Sequence, residues 1–150
     1  MPKKTKKQRE CDIQMKFFKL LDEYSLRHEA INWVHSIPYE VRVSIGQARK
    51  LKRMGMRKGV ADVFVPSPKF ICNSESIPEM IYHGMYLEFK CNTPSWRTKK
   101  QSEEQIEFEE YCFSQGYKYV VVSDAEEALN LVLIYLNVKR QAEAASETSA

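Results

Sequence analysis

Apolar and polar residues recur along this chain with two different periods, and the change of period marks the elements. From Asp12 to Tyr24, residues Phe17, Phe18, Leu20, Leu21 and Tyr24 recur at helical spacing. Ser25 is placed to cap a further helix, "LRHEAINWVHSI", with Ile31, Trp33 and Val34 as its apolar positions and Pro38 as its limit. A short basic helix is expected at 46–54, "GQARKLKRM", stopped by Gly55. The period then shortens to two. "GVADVFVPSP" opens a strand at 60–65, ended by two prolines. An irregular excursion follows over 66–83. "YHGMYLEFK" gives a second strand, expected to pair antiparallel with the first. "SEEQIEFEEYCFSQG" reads as a helix, with Ser102 and Gln105 as a capping box and Gly116 as the stop. "YKYVVVS" is a continuous β-branched run, which predicts a buried interior strand. "DAEEALNLVLIYLNVK" is a last helix, capped by Ser123 or Asp124, with Leu129, Val132, Leu133 and Leu136 on one stripe.

The predicted order is helices, strand, strand, helix, strand, helix. A strand–helix–strand step of this length predicts a right-handed parallel crossover. The expected fold is therefore α/β, a mixed central sheet flanked by helices. Residues 1–10 read as a disordered basic arm, 11–140 as one domain, and 141–150 as a disordered tail.

Composition narrows the classes. The chain has 150 residues, 43% hydrophobic and 29% charged, which suits one globular domain. No apolar run is long enough to span a membrane, and "MPKKTKKQRE" lacks the apolar core of a secretory signal. The expectation is a cytoplasmic protein with no membrane partner. Cys11, Cys72, Cys91 and Cys112 form no short-spaced pair, so structural zinc is not expected and reduced, mostly buried thiols are. Net charge is only +3 but unevenly spread. Arg42, Arg49, Lys50, Lys52, Arg53, Arg57 and Lys58 lie in one stretch without an acid, and Arg97, Lys99 and Lys100 in another. Such stretches fit either a solvated face or a surface for a polyanion.

Candidate chemistry sits on the two strands. Gly59 precedes Asp62 at the head of the first. Glu88 and Lys90 share one face of the second, because side chains alternate with period two. Paired strands would let Asp62 and Glu88 converge, and two close carboxylates repel unless a cation lies between them. Mg²⁺ takes one or two carboxylates with waters and phosphate oxygens, and the backbone carbonyl of Phe89 could complete the set. Lys90 would then either position the metal-bound water or stabilise charge on a reacting phosphate. The competing reading of Glu88 and Lys90 is a solvated strand face, which routinely carries opposite charges. Gln105 either only completes the helix cap or, at i, i+3 and i+7 with Phe108 and Cys112, also turns toward the packed side. Trp96 stacks on a base or packs under its loop.

Together, "KRMGMRKGVADVFVPSP", "YHGMYLEFK" and "SEEQIEFEEYCFSQGYKYVVVSDAEEALNLVLIYL" resemble the virus-type replication-repair nuclease (VRR-NUC) domain, a branch of the PD-(D/E)XK nuclease superfamily. The resemblance runs from about Glu29 to Leu136 and includes the Gly-x-x-Asp, Glu-x-Lys, Ser-x-x-Gln and Gly-Tyr landmarks in order. It implies a restriction-endonuclease-like fold, Asp62 and Glu88 as ligands of Mg²⁺ or Mn²⁺, Lys90 as the catalytic lysine and Gln105 as the helix glutamine of the site. It matches Glu29 to the family's early acidic position; a plain exposed helix glutamate is the other reading. It also implies branched or junction DNA as substrate, cut by stand-alone members as homodimers. Two departures stand out: Ala61 replaces the usual proline, and "IPYEVRVSIG" replaces an Asn-Gly-rich turn.

The resulting expectation is a metal-dependent DNA endonuclease, with Arg49, Lys50, Lys52, Arg53, Arg57, Lys58, Arg97, Lys99 and Lys100 binding phosphates. The alternative is a non-catalytic DNA-binding or scaffold module of the same fold. A small-molecule enzyme is disfavoured, since the chain has no phosphate-binding glycine loop and no nucleophile–histidine pair.

Overall fold

A computed structural model of the protein describes residues 6–38, 44–72, 74–91 and 101–140. Its elements are α1 (Lys6–Asp22), a 3-10 helix (Glu29–Trp33), β1 (His35–Ser36), α2 (Ile45–Arg53), β2 (Val63–Val65), β3 (Lys69–Cys72), β4 (Pro78–Tyr82), β5 (Met85–Phe89), α3 (Glu103–Ser114), β6 (Lys118–Val122) and α4 (Ala125–Leu136). The main sheet has the order β1-β2-β5-β6. Its first three strands run antiparallel, and β5 and β6 run parallel on either side of the α3 crossover.

One face of this sheet carries the main core. Val63, Val65, Met85, Leu87 and Phe89 point to it and are closed off by Phe17 and Leu21 of α1 and by Ala128, Leu129, Val132 and Leu133 of α4. The rings of Phe17 and Phe89 meet at 5.6 Å. The i, i+4 pair on α1 and the 3–4 spacing on α4 are what a helix needs to lay one stripe on a sheet. Asp124 caps α4 by accepting from Glu126 N–H at 2.8 Å, and the helix ends at Asn137 in the left-handed region, φ 58°. The opposite face packs under α3, where Ala61, Cys112 and Tyr119 are buried with Tyr86 and Phe108 against them.

Several expectations are corrected. The helix proposed after Ser25 is only the five-residue 3-10 turn, capped by His28, whose Nδ1 accepts from Ala30 N–H at 3.2 Å. The chain then extends, because the free edge of β2 offers hydrogen bonds: His35 pairs with Phe64, and Ile37 N–H donates to the Asp62 carbonyl at 2.7 Å. Ile31 and Val34 are buried, but Trp33 is 64% exposed. α1 begins at Lys6, inside the stretch read as a disordered arm. The excursion over 66–83 contains the β3–β4 hairpin. Lys69 ties that hairpin to the end of α4, donating to the carbonyls of Ile134 and Tyr135 and to Asn137 Oδ1 at 3.1, 2.8 and 2.6 Å.

The β-branched run of β6 lies at a sheet edge rather than in the interior. Helices on both faces explain its composition. Cys91 and Cys112 are buried, but Cys11 and Cys72 are exposed. Among the described residues, no helix is long and apolar enough to cross a membrane.

Candidate active site

Asp62 lies at a bend where β2 begins. Its Oδ2 accepts from Phe89 N–H at 2.7 Å, so the carboxylate takes a ladder position beyond the end of the strand. A strand residue sends its N–H and C=O to the same side. The Phe89 carbonyl therefore faces the Asp62 side as well. The register of β2 and β5, Val63 opposite Leu87, brings Glu88 next to Asp62 in the following row.

Glu88 and Lys90 do not form a solvated face. They are 3% and 7% exposed, and they are the buried charged residues among those described. Lys90 Nζ lies 2.6 Å from Glu88 Oε1. Gln105 closes the group from α3: its Oε1 accepts from Lys90 Nζ at 3.0 Å and its Nε2 donates to Glu88 Oε1. The same Oε1 accepts from Ser102 N–H at 3.0 Å, the capping-box bond of α3. The two readings of Gln105 thus hold together, since one amide both starts the helix and touches the buried ion pair.

Glu88 has one feature that its neighbours leave unexplained. Its Oε2 is buried and makes no hydrogen bond among the described residues. A buried carboxylate oxygen without a partner is costly. Burial, with the negative charge of Asp62 next in size, pushes the Glu88 carboxyl up to about 7 despite Lys90; Glu10 adds a smaller push in the same direction. An unpartnered carboxylate oxygen, a second carboxylate in the next row of the sheet and a backbone carbonyl facing that carboxylate make a donor set that fits a hard divalent cation. Among the described residues no group of three or more His, Cys, Asp and Glu side chains gathers, so a cation here would rest on two carboxylates rather than in a closed cage.

Glycine shapes the entrance. Gly59 has φ +80°, and a Cβ there would come within 2.4 Å of the Glu104 carbonyl oxygen. Its absence lets the loop before β2 lie directly on the first turn of α3. Between them opens a cleft of about 270 Å³, lined by Lys58, Gly59, Val60, Asp62, Ser102, Glu104 and Gln105. Asp62 and Gln105 are thus reachable from solvent.

The other predicted residues fall as follows. Glu29 is exposed in the 3-10 helix and touches none of Asp62, Glu88 and Lys90 in the described contacts. The acidic residue of the early chain that reaches this region is Glu10, on the first turns of α1, whose Oε1 accepts from Cys91 N–H at 3.2 Å. Reading residues 1–10 as an arm hid it. The signal was its spacing: Glu10 precedes Ile13 and Phe17 on the helix that covers Phe89. Arg49, Lys50, Lys52 and Arg53 stand on α2, which buries none of its residues, and Arg57 and Lys58 follow it, exposed. Arg97, Lys99 and Lys100, with Trp96, lie outside the described residues.

No family model matches the sequence, and no curated protein does. Among solved structures the chain is similar to one described as a VRR_NUC domain protein, with a TM-score of 0.59 and 20% sequence identity, covering 91% of this chain and 93% of that one. The two chains share their fold. The expected restriction-endonuclease-like architecture, a mixed sheet flanked by helices, is the one this chain adopts.

Proposed function

We propose that this chain is a divalent-metal-dependent endonuclease that hydrolyses DNA phosphodiester bonds, with branched or junction DNA as its substrate and a homodimer as its working form. The observation that carries this reading is the buried Glu88–Lys90 pair, locked by Gln105, with Glu88 Oε2 left unpartnered while Asp62 and Gln105 line an open cleft. A carboxylate raised to about 7 next to a second carboxylate is expensive to hold unless its site has a use.

Asp62, Glu88 and the Phe89 carbonyl would hold Mg²⁺ or Mn²⁺, which supplies an acidified water and neutralises phosphate charge. Lys90 places a cation where negative charge develops on the phosphate oxygens. Gln105 keeps the Lys90 ammonium and the Glu88 carboxylate in fixed relation, so neither reorganises during the reaction. Glu10 adds negative charge to the same corner and takes the part first given to Glu29. Arg49, Lys50, Lys52, Arg53, Arg57 and Lys58 bind the backbone without reading sequence, and Arg97, Lys99 and Lys100 add further charge for phosphates. Two copies, each with one site, would cut two strands symmetrically.

The test is a cleavage panel of four-way junction, flap, splayed and linear duplex DNA with Mg²⁺ and with Mn²⁺. Cleavage that EDTA stops and that Asp62→Asn abolishes is the expected result. Tight junction binding with no cleavage under either metal would refute the nuclease and leave the scaffold module.

A further inference from the structure

A row of rings crosses the sheet beside the carboxylates. The register aligns His35 with Phe64, Phe64 with Tyr86, and Tyr86 with Tyr119, over all four strands. His35 meets Phe64 edge-on at 5.8 Å, and Phe64 stacks on Tyr86 at 4.5 Å with the planes 26° apart. Tyr86 and Glu88 share a face of β5, and α3 covers both, Phe108 meeting Tyr86 at 5.1 Å and Gln105 meeting Glu88. The row therefore lies one side-chain step, about 7 Å, along the sheet from the buried ion pair.

Its two ends differ. The Tyr119 end is buried under α3. At the other end His35 is exposed and Phe64 is half-buried, although Val63 and Val65 on either side of it are fully buried. Phe64 packs in neither apolar cluster of the core. It is nonetheless held. One face rests on Tyr86, and Gly84 leaves room for the ring, since a Cβ at Gly84 would come within 2.8 Å of it. A ring held in place and half open to solvent is pre-organised for stacking at small entropic cost.

On the nuclease reading above, we propose that Phe64 with His35 forms a stacking site for one unpaired base of the DNA strand whose phosphate enters at Asp62 and Glu88. Bases inside a duplex are already stacked on each other and cannot lie on a protein ring. The substrate strand is therefore splayed or single-stranded at the nucleotide beside the scissile phosphate. Stacking is indifferent to base identity, because every base has a π-face.

The experiment compares the full chain with Phe64→Leu and Phe64→Tyr on splayed and fully paired DNA of one sequence, with Mg²⁺. A 2-aminopurine at the mapped cut site reports stacking by fluorescence quenching, with Ca²⁺ replacing Mg²⁺. Phe64→Leu keeps the apolar volume but loses the ring. It should lose about tenfold in kcat/KM on splayed DNA, within the range of one base–aromatic stack, and lose the quenching. Its unfolding midpoint should stay within a few degrees of wild type. Phe64→Tyr should restore both cleavage and quenching. Phe64→Leu cutting and quenching like wild type overturns the stacking site alone. Equal losses in both variants overturn it too, by showing that Phe64 only packs. Wild-type protein that cuts no DNA overturns the nuclease reading, and the stacking site falls with it.

Discussion

Glu88 gives the sharpest physical test, because it should make the metal-free protein less stable as pH rises toward neutrality. Burial and Asp62 lift its carboxyl from the ordinary 4.5 to about 7 in the folded state. Below pH 4.5 the folded and unfolded carboxyls are both protonated, and the group costs nothing. Between 4.5 and 7 only the unfolded chain releases its proton, so the unfolded state gains and stability falls. Above 7 the loss is complete. A tenfold difference in proton affinity between the two states is worth about 1.4 kcal/mol, so the full loss is on the order of 3 kcal/mol. Urea unfolding in EDTA, from pH 4 to 8, measures it for wild type and for Glu88→Gln. The glutamine variant has no proton to exchange there, so its profile should lack this decline, and the difference between the curves separates this coupled corner from titrations elsewhere in the chain. Mg²⁺ at pH 8 should recover much of the wild-type loss by giving Glu88 Oε2 a partner, and should do less for Glu88→Gln. Parallel profiles for the two proteins would show that the carboxylate is not held as described, and the case for a cation at this corner would fall with it.

Other predictions follow from the same geometry. Lys90→Met leaves Glu88 buried without its cation, so it should cost about 3–5 kcal/mol at pH 8 and clearly less at pH 5.5, where Glu88 takes up a proton; thermal melts at the two pH values compare the losses. Gly59→Ala combines a left-handed backbone, about 1–2 kcal/mol, with a clash on the Glu104 carbonyl, and should weaken both stability and cleavage by displacing the start of α3; unchanged melting and turnover would refute the close approach. Lys69→Met removes three hydrogen bonds at the end of α4 and should cost about 1–2 kcal/mol, with faster amide exchange confined to β3, β4 and the last turn of that helix. Glu10→Gln should lower cleavage at least tenfold while Glu29→Gln leaves it unchanged; the reverse order in a side-by-side turnover assay would restore Glu29 to the site.

Signals that act locally along the chain were enough to set most of the elements. The capping box at Ser102, the aspartate cap of α4, the glycine after α3 and the apolar stripes of α1 and α4 depend on residues three or four apart, and each formed. Period-two alternation likewise set Glu88 and Lys90 on one face of β5. What that face meets could not be read from β5, because burial belongs to the helix laid over it. Only the packing of α3 turned an ion pair that suited solvent into one that is 3% and 7% exposed, and only the bend at Asp62 brought the second carboxylate to it. The same reason explains the misses. Residues 34–37 extend because β2 offers an unpaired edge, and β6 reads as interior because helices cover both its faces. Glu10, not Glu29, reaches Cys91 because α1 starts early enough to carry it there. Local hydrogen bonds and periodicity act over a few residues and are written in order along the chain; edges, coverage and the convergence of charges depend on contacts between segments far apart in the chain, such as Glu10 and Cys91, 81 residues apart, which only the fold brings together.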